Sequence, residues 1–301
     1  MNNLLLRRRT LMGMLGSSKG EVDYSKEYFT LTAIDNCSFN RKNIPSGTPD
    51  VSYSMDRGKT WAVWSSTINV PAGKSVILKC VKPELNGSIG WIYSEGKFNT
   101  SGNIMSIVYG DDFQLYDEVT CQRAFTEIFR TCDTIVDASN LIFPTLPGRS
   151  ACDWMFASSS LVHAPKLLKH DGSNYGENYG SYLHMFHTCK SLITAPEIVT
   201  NLPSNSMCSQ MFVNCTSLEN GPTIKGIRLG DEAFDKMFEG CTNLHRIGLL
   251  TKEVRIFSSG FSTWLNGVAE HGTFIMPSDA NWTAADVNLP EGWAVETVDV
   301  D

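Results

Sequence analysis

The chain has 301 residues and a formal net charge of −7 at pH 7, from 25 Lys and Arg against 32 Asp and Glu. This acidic balance argues against a dedicated nucleic-acid-binding protein, because phosphate neutralisation requires clustered basic side chains. Hydrophobic residues form 42% of the chain, enough for a sizeable core, and no run approaches the roughly 18 apolar residues of a membrane span. We therefore expect no nucleic-acid partner, no membrane insertion, and either two domains or one domain and a repeat array.

The first residues combine an apolar and a basic triplet, Leu4, Leu5, Leu6 and Arg7, Arg8, Arg9. A secretory signal places its positive charge before a longer apolar run, so this order is atypical of an export signal. A solvated amphipathic tail is the simplest alternative. We favour an arm over residues 1–20 that anchors the chain to a partner, with the leucines buried and the arginines against acidic groups.

Residues 21–118 contain short apolar runs separated by turn residues. Examples are the runs 28–34, 51–55 and 75–81, with Gly73 and the pair Asn86-Gly87 where turns are expected. Several short strands at this spacing predict a small β-sandwich of the immunoglobulin-like type.

Residues 54–61 match the Asp-box pattern S-x-D-x-G-x-T-W, with its characteristic positions at Ser54, Asp56, Gly58 and Trp61. Asp56 is suited to accept hydrogen bonds from the turn backbone, Gly58 to adopt positive φ, and Trp61 to pack under the hairpin. The pattern resembles the Asp boxes of sialidases, which are structural hairpins found in many β-proteins. We therefore predict a structural turn and no catalytic role for Asp56.

After residue 120 the chain repeats a motif of the form M-F-x-x-C-x-x-L. The second residue of the motif recurs at steps of 27, 30, 26, 26 and 27, and the last copy is degenerate. The aromatic and cysteine positions of the motif, which we predict to form the repeat core, are Phe129, Cys132, Phe156, Phe186, Cys189, Phe212, Cys215, Phe238 and Cys241.

Within a copy the apolar positions recur at helical spacing. In one copy Cys208, Phe212, Cys215 and Leu218 follow steps of 4, 3 and 3, which places them on one stripe of an α-helix. An Ala-Pro pair then ends the helix, and a short strand such as 197–199 follows. The expected unit is a helix plus a strand, and stacked units form a solenoid.

Nine cysteines, an odd number without any C-x-x-C spacing, indicate buried free thiols that behave as small hydrophobic residues. A cysteine metal ladder is the rival interpretation, but each copy offers a single cysteine at that position. His184, His187 and Cys189 lie close in sequence, yet a structural zinc site usually has four ligands. We predict no metal and no cofactor. Since no G-x-S-x-G, H-E-x-x-H or paired-carboxylate pattern appears, we also predict no enzymatic activity.

The longest repeat carries a tandem Asn-Tyr-Gly insertion over residues 174–180. Insertions in repeat arrays map to loops on one face, often the binding face. We predict Tyr175, Asn178 and Tyr179 as ligand-binding residues, because exposed tyrosines can stack on sugar rings and amides can bind hydroxyls. The alternative is a solvated turn whose tyrosines pack on the array.

Together with the Ala-Pro that follows it, the motif resembles the BspA-type leucine-rich repeats. These occur in surface proteins of gut bacteria, mycoplasmas and protists, and in phages that infect Bacteroidetes. The resemblance covers residues 121–296, and the opening triplets are similar to the starts of Bacteroidetes phage proteins. It implies a leucine-rich-repeat solenoid of helix plus short strand at 119–270 and a cap at 271–301. With the arm at 1–20 and the β-sandwich-like domain at 21–118 inferred above, we predict an α+β fold.

Three classes of function follow from these features. The first is a non-enzymatic virion structural and adhesion protein, a fibre or decoration component. Its arm would bind other virion proteins, and its array would bind a host-surface glycan or protein. The second is a bacterial cell-surface adhesin on the same scaffold, and the third is a glycan-active enzyme, which lacks an evident acid–base pair. We expect the first, located in the virion and oligomeric.

Overall fold

The computed structural model describes residues 22–48, 50–81, 88–170, 179–200, 206–228, 232–254 and 261–300. Of the described residues, 33% lie in strands and 7% are helical. The described part contains one α-helix, α1 (Ser106–Tyr109), and 3-10 turns at Tyr24–Lys26, Gly110–Leu115 and Ala284–Val287. The protein is therefore mostly β, and the predicted α+β fold with a helix-plus-strand leucine-rich-repeat solenoid is wrong.

In the described part of the N-terminal half, nine strands form two sheets. They are β1 (Phe29–Ala33), β2 (Cys37–Lys42), β3 (Val51–Ser54), β4 (Ala62–Val63), β5 (Ile68–Val70), β6 (Ser75–Cys80), β7 (Trp91–Tyr93), β8 (Phe98–Asn103) and β9 (Ile135–Ile142). One sheet has the order β4-β3-β6-β1-β8-β9, and the other has the order β5-β2-β7. Alternation along β1 buries Phe29, Leu31 and Ala33. Phe39 of β2 meets Phe98 of β8 edge-to-face at a centroid distance of 5.0 Å, so the two sheets share a core.

The first sheet continues into the repeat region. Strand β9 pairs in parallel with β8, which places Gly102 opposite Leu141, and the ring of Phe98 lies 6.0 Å from that of Phe129. Buried side chains on both sides of residue 118 therefore belong to one hydrophobic core.

Six further strands among the described residues form a parallel sheet in chain order. They are β10 (Leu167–His170), β11 (Glu197–Thr200), β12 (Asn220–Arg228), β13 (Arg246–Glu253), β14 (Gly272–Pro277) and β15 (Trp293–Val298). Ile198, Ile224 and Leu249 lie opposite one another in register and are buried. Single backbone bridges through His163 join β9 to this sheet, so each repeat advances the chain by one strand position.

The repeat motif itself forms stacked turn segments, which are residues 121–132, 149–158, 179–188, 206–214, 232–240 and 262–267. Within a segment, bonds such as Met155 N–H to the Cys152 carbonyl, 3.1 Å, close successive turns. Between segments, the N–H of each motif phenylalanine donates to a carbonyl of the next repeat, as Phe186 does to Met211 at 2.9 Å. The hydrogen bonds that an α-helix would make within itself are thus partly made between repeats.

Left-handed residues prevent an α-helix in these segments. Ser206, Gln210 and Asn214 have φ values of 55°, 55° and 59°, in a region that costs roughly 1–2 kcal/mol per residue. The N–H groups of Gln210 and Asn214 donate to the carbonyls of Asp235 and Glu239, each at 2.8 Å. Hydrogen bonding between repeats therefore offsets the backbone strain.

The period of these turns explains the wrong helix prediction. Left-handed residues recur every fourth position, close to the 3.6-residue period of an α-helix. Cys208, Phe212, Cys215 and Leu218 consequently face inward, each fully buried, as they would on a helical stripe. The hydrophobic pattern identifies the inward side of the segment, but it does not distinguish an α-helix from a series of turns with left-handed residues.

The motif phenylalanines form a continuous stack through the repeat region. The rings of Phe129, Phe156, Phe186, Phe212 and Phe238 follow one another at centroid distances of 5.3–5.5 Å with nearly parallel planes. All five side chains are fully buried. Because aromatic pairs contribute about 0.5–1.5 kcal/mol beyond area burial, this stack is a major source of cohesion between repeats.

Each motif cysteine after the first copy donates its S–H to the carbonyl of the motif phenylalanine in the preceding copy. The pairs are Cys189–Phe156, Cys215–Phe186 and Cys241–Phe212, with S···O distances of 2.9, 3.0 and 2.9 Å. In the first copy, Cys132 Sγ instead lies 3.6 Å from Thr134 Oγ1. Cysteine therefore acts both as a small buried side chain and as a hydrogen-bond donor. The sequence predicted the first of these roles and not the second.

All nine cysteines are buried and none forms a disulfide, so we expect none to react with Ellman's reagent in the folded protein at mildly alkaline pH. Burial raises the pKa of Cys189 to about 11 and that of Cys241 to about 12, which suppresses the reactive thiolate. After unfolding in denaturant, all nine should titrate. The exposed variant Lys190→Cys is the control and should react at once; a fast native reaction of the wild-type chain would contradict the burial.

Candidate binding surface

A row of outward-facing side chains crosses three successive turn segments. Glu127, Trp154 and His184 occupy the same repeat position, two residues before the motif phenylalanine, with φ values of 61°, 56° and 53°. Each is partly exposed, whereas the two residues that follow it are buried. With three neighbours they form what we call the Trp154 cluster, which consists of Trp91, Glu127, Arg130, Trp154, His184 and His187.

Trp154 lies between a cation and an imidazole. Its ring stacks on His184 at a centroid distance of 4.3 Å, and the guanidinium carbon of Arg130 lies 4.8 Å from its centroid. Arg130 also lies 5.5 Å from the ring of Trp91, which Lys42 approaches to 5.3 Å. Cations and aromatic rings thus alternate along the surface, in an arrangement that cation–π attraction stabilises.

Two carboxylates orient the cluster. Glu127 forms an ion pair with Arg130 and accepts a hydrogen bond from Trp91 Nε1 at 3.1 Å. Asp153 Oδ1 lies 3.0 Å from His184 Nδ1, and both side chains are less than one-fifth exposed. The ring positions are therefore set by the protein before any ligand binds.

His187 lies at the edge of the cluster, in surroundings that favour the neutral imidazole. Burial, followed by the nearby His184 and Arg130, lowers the pKa of His187 below its usual value. Its Nδ1 lies 2.8 Å from Thr188 Oγ1. A neutral imidazole has one donor and one acceptor nitrogen, so the surface combines ring edges, cations, carboxylates and imidazoles that can bind hydroxyl groups.

The histidines and the cysteine considered as metal ligands are not brought together. Cys189 is buried and donates to the Phe156 carbonyl, whereas the outward-facing rings of His184 and His187 have centroids 5.9 Å apart. Within the described ranges, no three His, Cys, Asp or Glu side chains are grouped so as to hold a metal ion.

Of the predicted loop residues, Tyr179 belongs to the described chain, whereas Tyr175 and Asn178 lie outside the described residues. Tyr179 is 38% exposed. Its hydroxyl accepts a hydrogen bond from Ser206 Oγ at 3.2 Å, and Arg149 lies 5.8 Å from its ring centroid. Part of its polar surface is therefore engaged by the neighbouring segment.

The Asp-box residues form the turn between β3 and β4. Asp56 accepts hydrogen bonds from the N–H and hydroxyl of Thr60, at 2.9 and 2.6 Å, and these bonds lower the pKa of Asp56 to about 2. Gly58, with φ of 86°, donates its N–H to Ser54 Oγ at 2.8 Å and accepts from Trp61 Nε1 at 3.1 Å. The contacts of these side chains thus stabilise the turn itself.

The predicted anchoring residues, Leu4, Leu5, Leu6, Arg7, Arg8 and Arg9, lie outside the described residues. In the part of the chain that the structure does describe, no helix has both the length and the apolar character needed to cross a bilayer.

Trp91, Arg130 and Trp154 were not predicted from the sequence to belong to one surface. A signal for Trp154 existed, because aligning the copies places it with His184 at a position flanked by buried residues. No local pattern links Trp91 to Arg130, since β7 and the first turn segment meet only in the folded protein. Comparisons of the chain with family models, curated proteins and solved structures gave no match.

Proposed function

We propose that the protein is a non-enzymatic structural and adhesion protein of a phage particle, such as a fibre or decoration component. In this proposal residues 4–9 anchor the chain to other virion proteins, and the Trp154 cluster binds a glycan or protein of the host surface. The resemblance of the sequence motif to repeats of bacterial surface and phage proteins supports the setting. The observation that carries the binding function is the oriented row of aromatic, cationic and carboxylate groups on the stacked turn segments.

The chemistry of this row suits a hydroxyl-rich ligand. Arg130 and His184 cover the faces of Trp154, so a ligand would contact ring edges and the surrounding polar atoms. Contacts of this kind give a modest affinity for one site, and multiple copies on a particle would raise the avidity by orders of magnitude. The inter-repeat backbone bonds hold the row rigid, which limits the entropy lost on binding.

The binding function can be tested with the labelled full-length chain on host cells. Trp154→Ala combined with Arg130→Ala should weaken binding by about tenfold or more, as expected when central Trp and Arg contacts are removed. Gln210→Ala is the matched control, since Gln210 has the same repeat position and left-handed backbone in a copy outside the cluster. Equal binding by the double variant and the wild-type chain would refute a role for this surface.

The virion location has a separate test. Intact mass spectrometry of the chain in purified virions should find it with residues 1–20 retained. Recovery of a form without the arm, in a bacterial cell-surface fraction and not with particles, would contradict the proposal and favour the bacterial adhesin.

A further inference from the structure

Among the described residues, the last of the stacked turn segments has backbone donors without acceptors. In the next-to-last segment, the N–H groups of Phe238 and Gly240 donate to the carbonyls of Trp264 and Asn266, both at 2.8 Å. The equivalent N–H groups of the last segment belong to Leu265 and Gly267. Among the described residues, neither of these two groups has a hydrogen-bond acceptor. The inter-repeat bonding pattern is therefore open at this end, as at the edge of a sheet.

A groove of about 500 Å³ lies at the same end of the molecule. Leu265, Val268, Ala269 and Pro290 provide its apolar lining, together with the glycines Gly267 and Gly292. Glu270 and Glu291 also line it and are exposed, and none of the described residues that line it is a Lys or Arg. The groove thus combines the backbone N–H groups of Leu265 and Gly267, an apolar lining and negative charge.

These features fit an extended peptide that carries apolar and cationic side chains. Its backbone carbonyls would accept from the free N–H groups, as in strand addition to a sheet edge. Carboxylates bind guanidinium groups through short, charge-assisted hydrogen bonds. Residues 4–9 of this chain, three leucines followed by three arginines, have this chemistry.

Distance favours a second copy of the chain as the source of this segment. From β1 to β14 the sheets advance by seven strand positions, which is about 34 Å at the usual strand spacing. The chain from Arg9 to Val22 spans at most about 45 Å when fully extended. To reach the groove of its own copy, this segment would have to be extended to about three-quarters of its maximum length. A segment from a neighbouring copy has no such limit.

We propose that the groove binds residues 4–9 of a second copy. The N–H groups of Leu265 and Gly267 donate to the carbonyls of the bound segment, and Glu270 and Glu291 pair with its arginines. The contact joins the arm of one copy to the last repeat of the next, so it is heterologous and generates rings or filaments. This inference rests on the anchoring arm of the proposed function and specifies its partner.

Charge reversal in the full-length chain tests the contact by analytical ultracentrifugation. The wild-type chain should associate as its concentration rises. Replacing the three arginines by glutamate should weaken association by about tenfold or more, and so should Glu270→Arg with Glu291→Arg, because each leaves like charges opposed. A chain that carries both sets of changes should associate again. Glu95→Arg with Asp133→Arg reverses two exposed acidic residues elsewhere and should have no effect.

A wild-type chain that stays monomeric at every concentration would overturn the proposal. So would groove variants that associate normally, or a combined variant that does not recover. Failure of this contact is distinguishable from failure of the proposed function: a monomeric chain that still binds host cells and co-purifies with virions would remove this contact and leave adhesion intact.

Discussion

Replacing Phe212 with alanine is expected to lower the free energy of unfolding by about 3–5 kcal/mol. The side chain is fully buried and stacks on Phe186 and Phe238, at centroid distances of 5.3 and 5.5 Å. Truncation removes both aromatic contacts and leaves a cavity that the neighbouring rings cannot fill, because the inter-repeat hydrogen bonds hold their backbones apart. Equilibrium denaturation in urea, with the midpoint and slope compared between variant and wild type, measures the loss.

Two variants calibrate this result. Phe212→Leu keeps most of the buried volume and should cost clearly less than the alanine variant. Leu115→Ala removes a side chain that is 72% exposed and should change the unfolding free energy by no more than about 0.5 kcal/mol. If Phe212→Ala were as mild as Leu115→Ala, the stack would not be a source of stability.

Replacing Gly102 with alanine should also lower the free energy of unfolding by about 3–5 kcal/mol. Gly102 has φ of 78°, and a Cβ placed there would lie 2.0 Å from the carbonyl oxygen of Tyr28. This oxygen belongs to the backbone and cannot rotate away as the end of a side chain could. The variant must therefore separate β8 from the chain that leads into β1, or fail to fold.

Gly73→Ala is the matched control for this effect. Gly73 also has positive φ, 74°, but a Cβ there would meet no atom within 4 Å. Gly73→Ala should lower the free energy of unfolding by about 1–2 kcal/mol, which is the cost of placing alanine in the left-handed region alone. Thermal unfolding of both variants separates the two contributions, and equal losses would show that the close approach to Tyr28 is unimportant.

Much of the interior could be predicted from the sequence. The motif positions Phe129, Phe186 and Phe212 are fully buried, because a repeated apolar position can be satisfied only by neighbouring copies. The cysteine position is buried for the same reason. The backbone path could not be predicted, since a turn period of four and a helical period of 3.6 bury the same residues.

The candidate surface was less predictable. The residues chosen from the sequence lay in the Asn-Tyr-Gly insertion, where only Tyr179 is among the described residues. The Trp154 cluster instead combines side chains from β7 and three turn segments, whose proximity depends on how the first sheet meets the repeats. Apart from the repeat position that Trp154 shares with His184, its members carry no motif that distinguishes them from ordinary surface residues.

By itself, the sequence determined the repeat length, the inward positions, the turn chemistry around Asp56 and the net negative charge of the chain. Those properties depend on side-chain type and local spacing. Only the tertiary structure decided between helices and stacked turns, the joining of the first sheet to the repeats, and the open donors at Leu265 and Gly267. The physical reason is that each of these depends on which distant carbonyl a backbone N–H reaches, and that partner is set when the repeats stack.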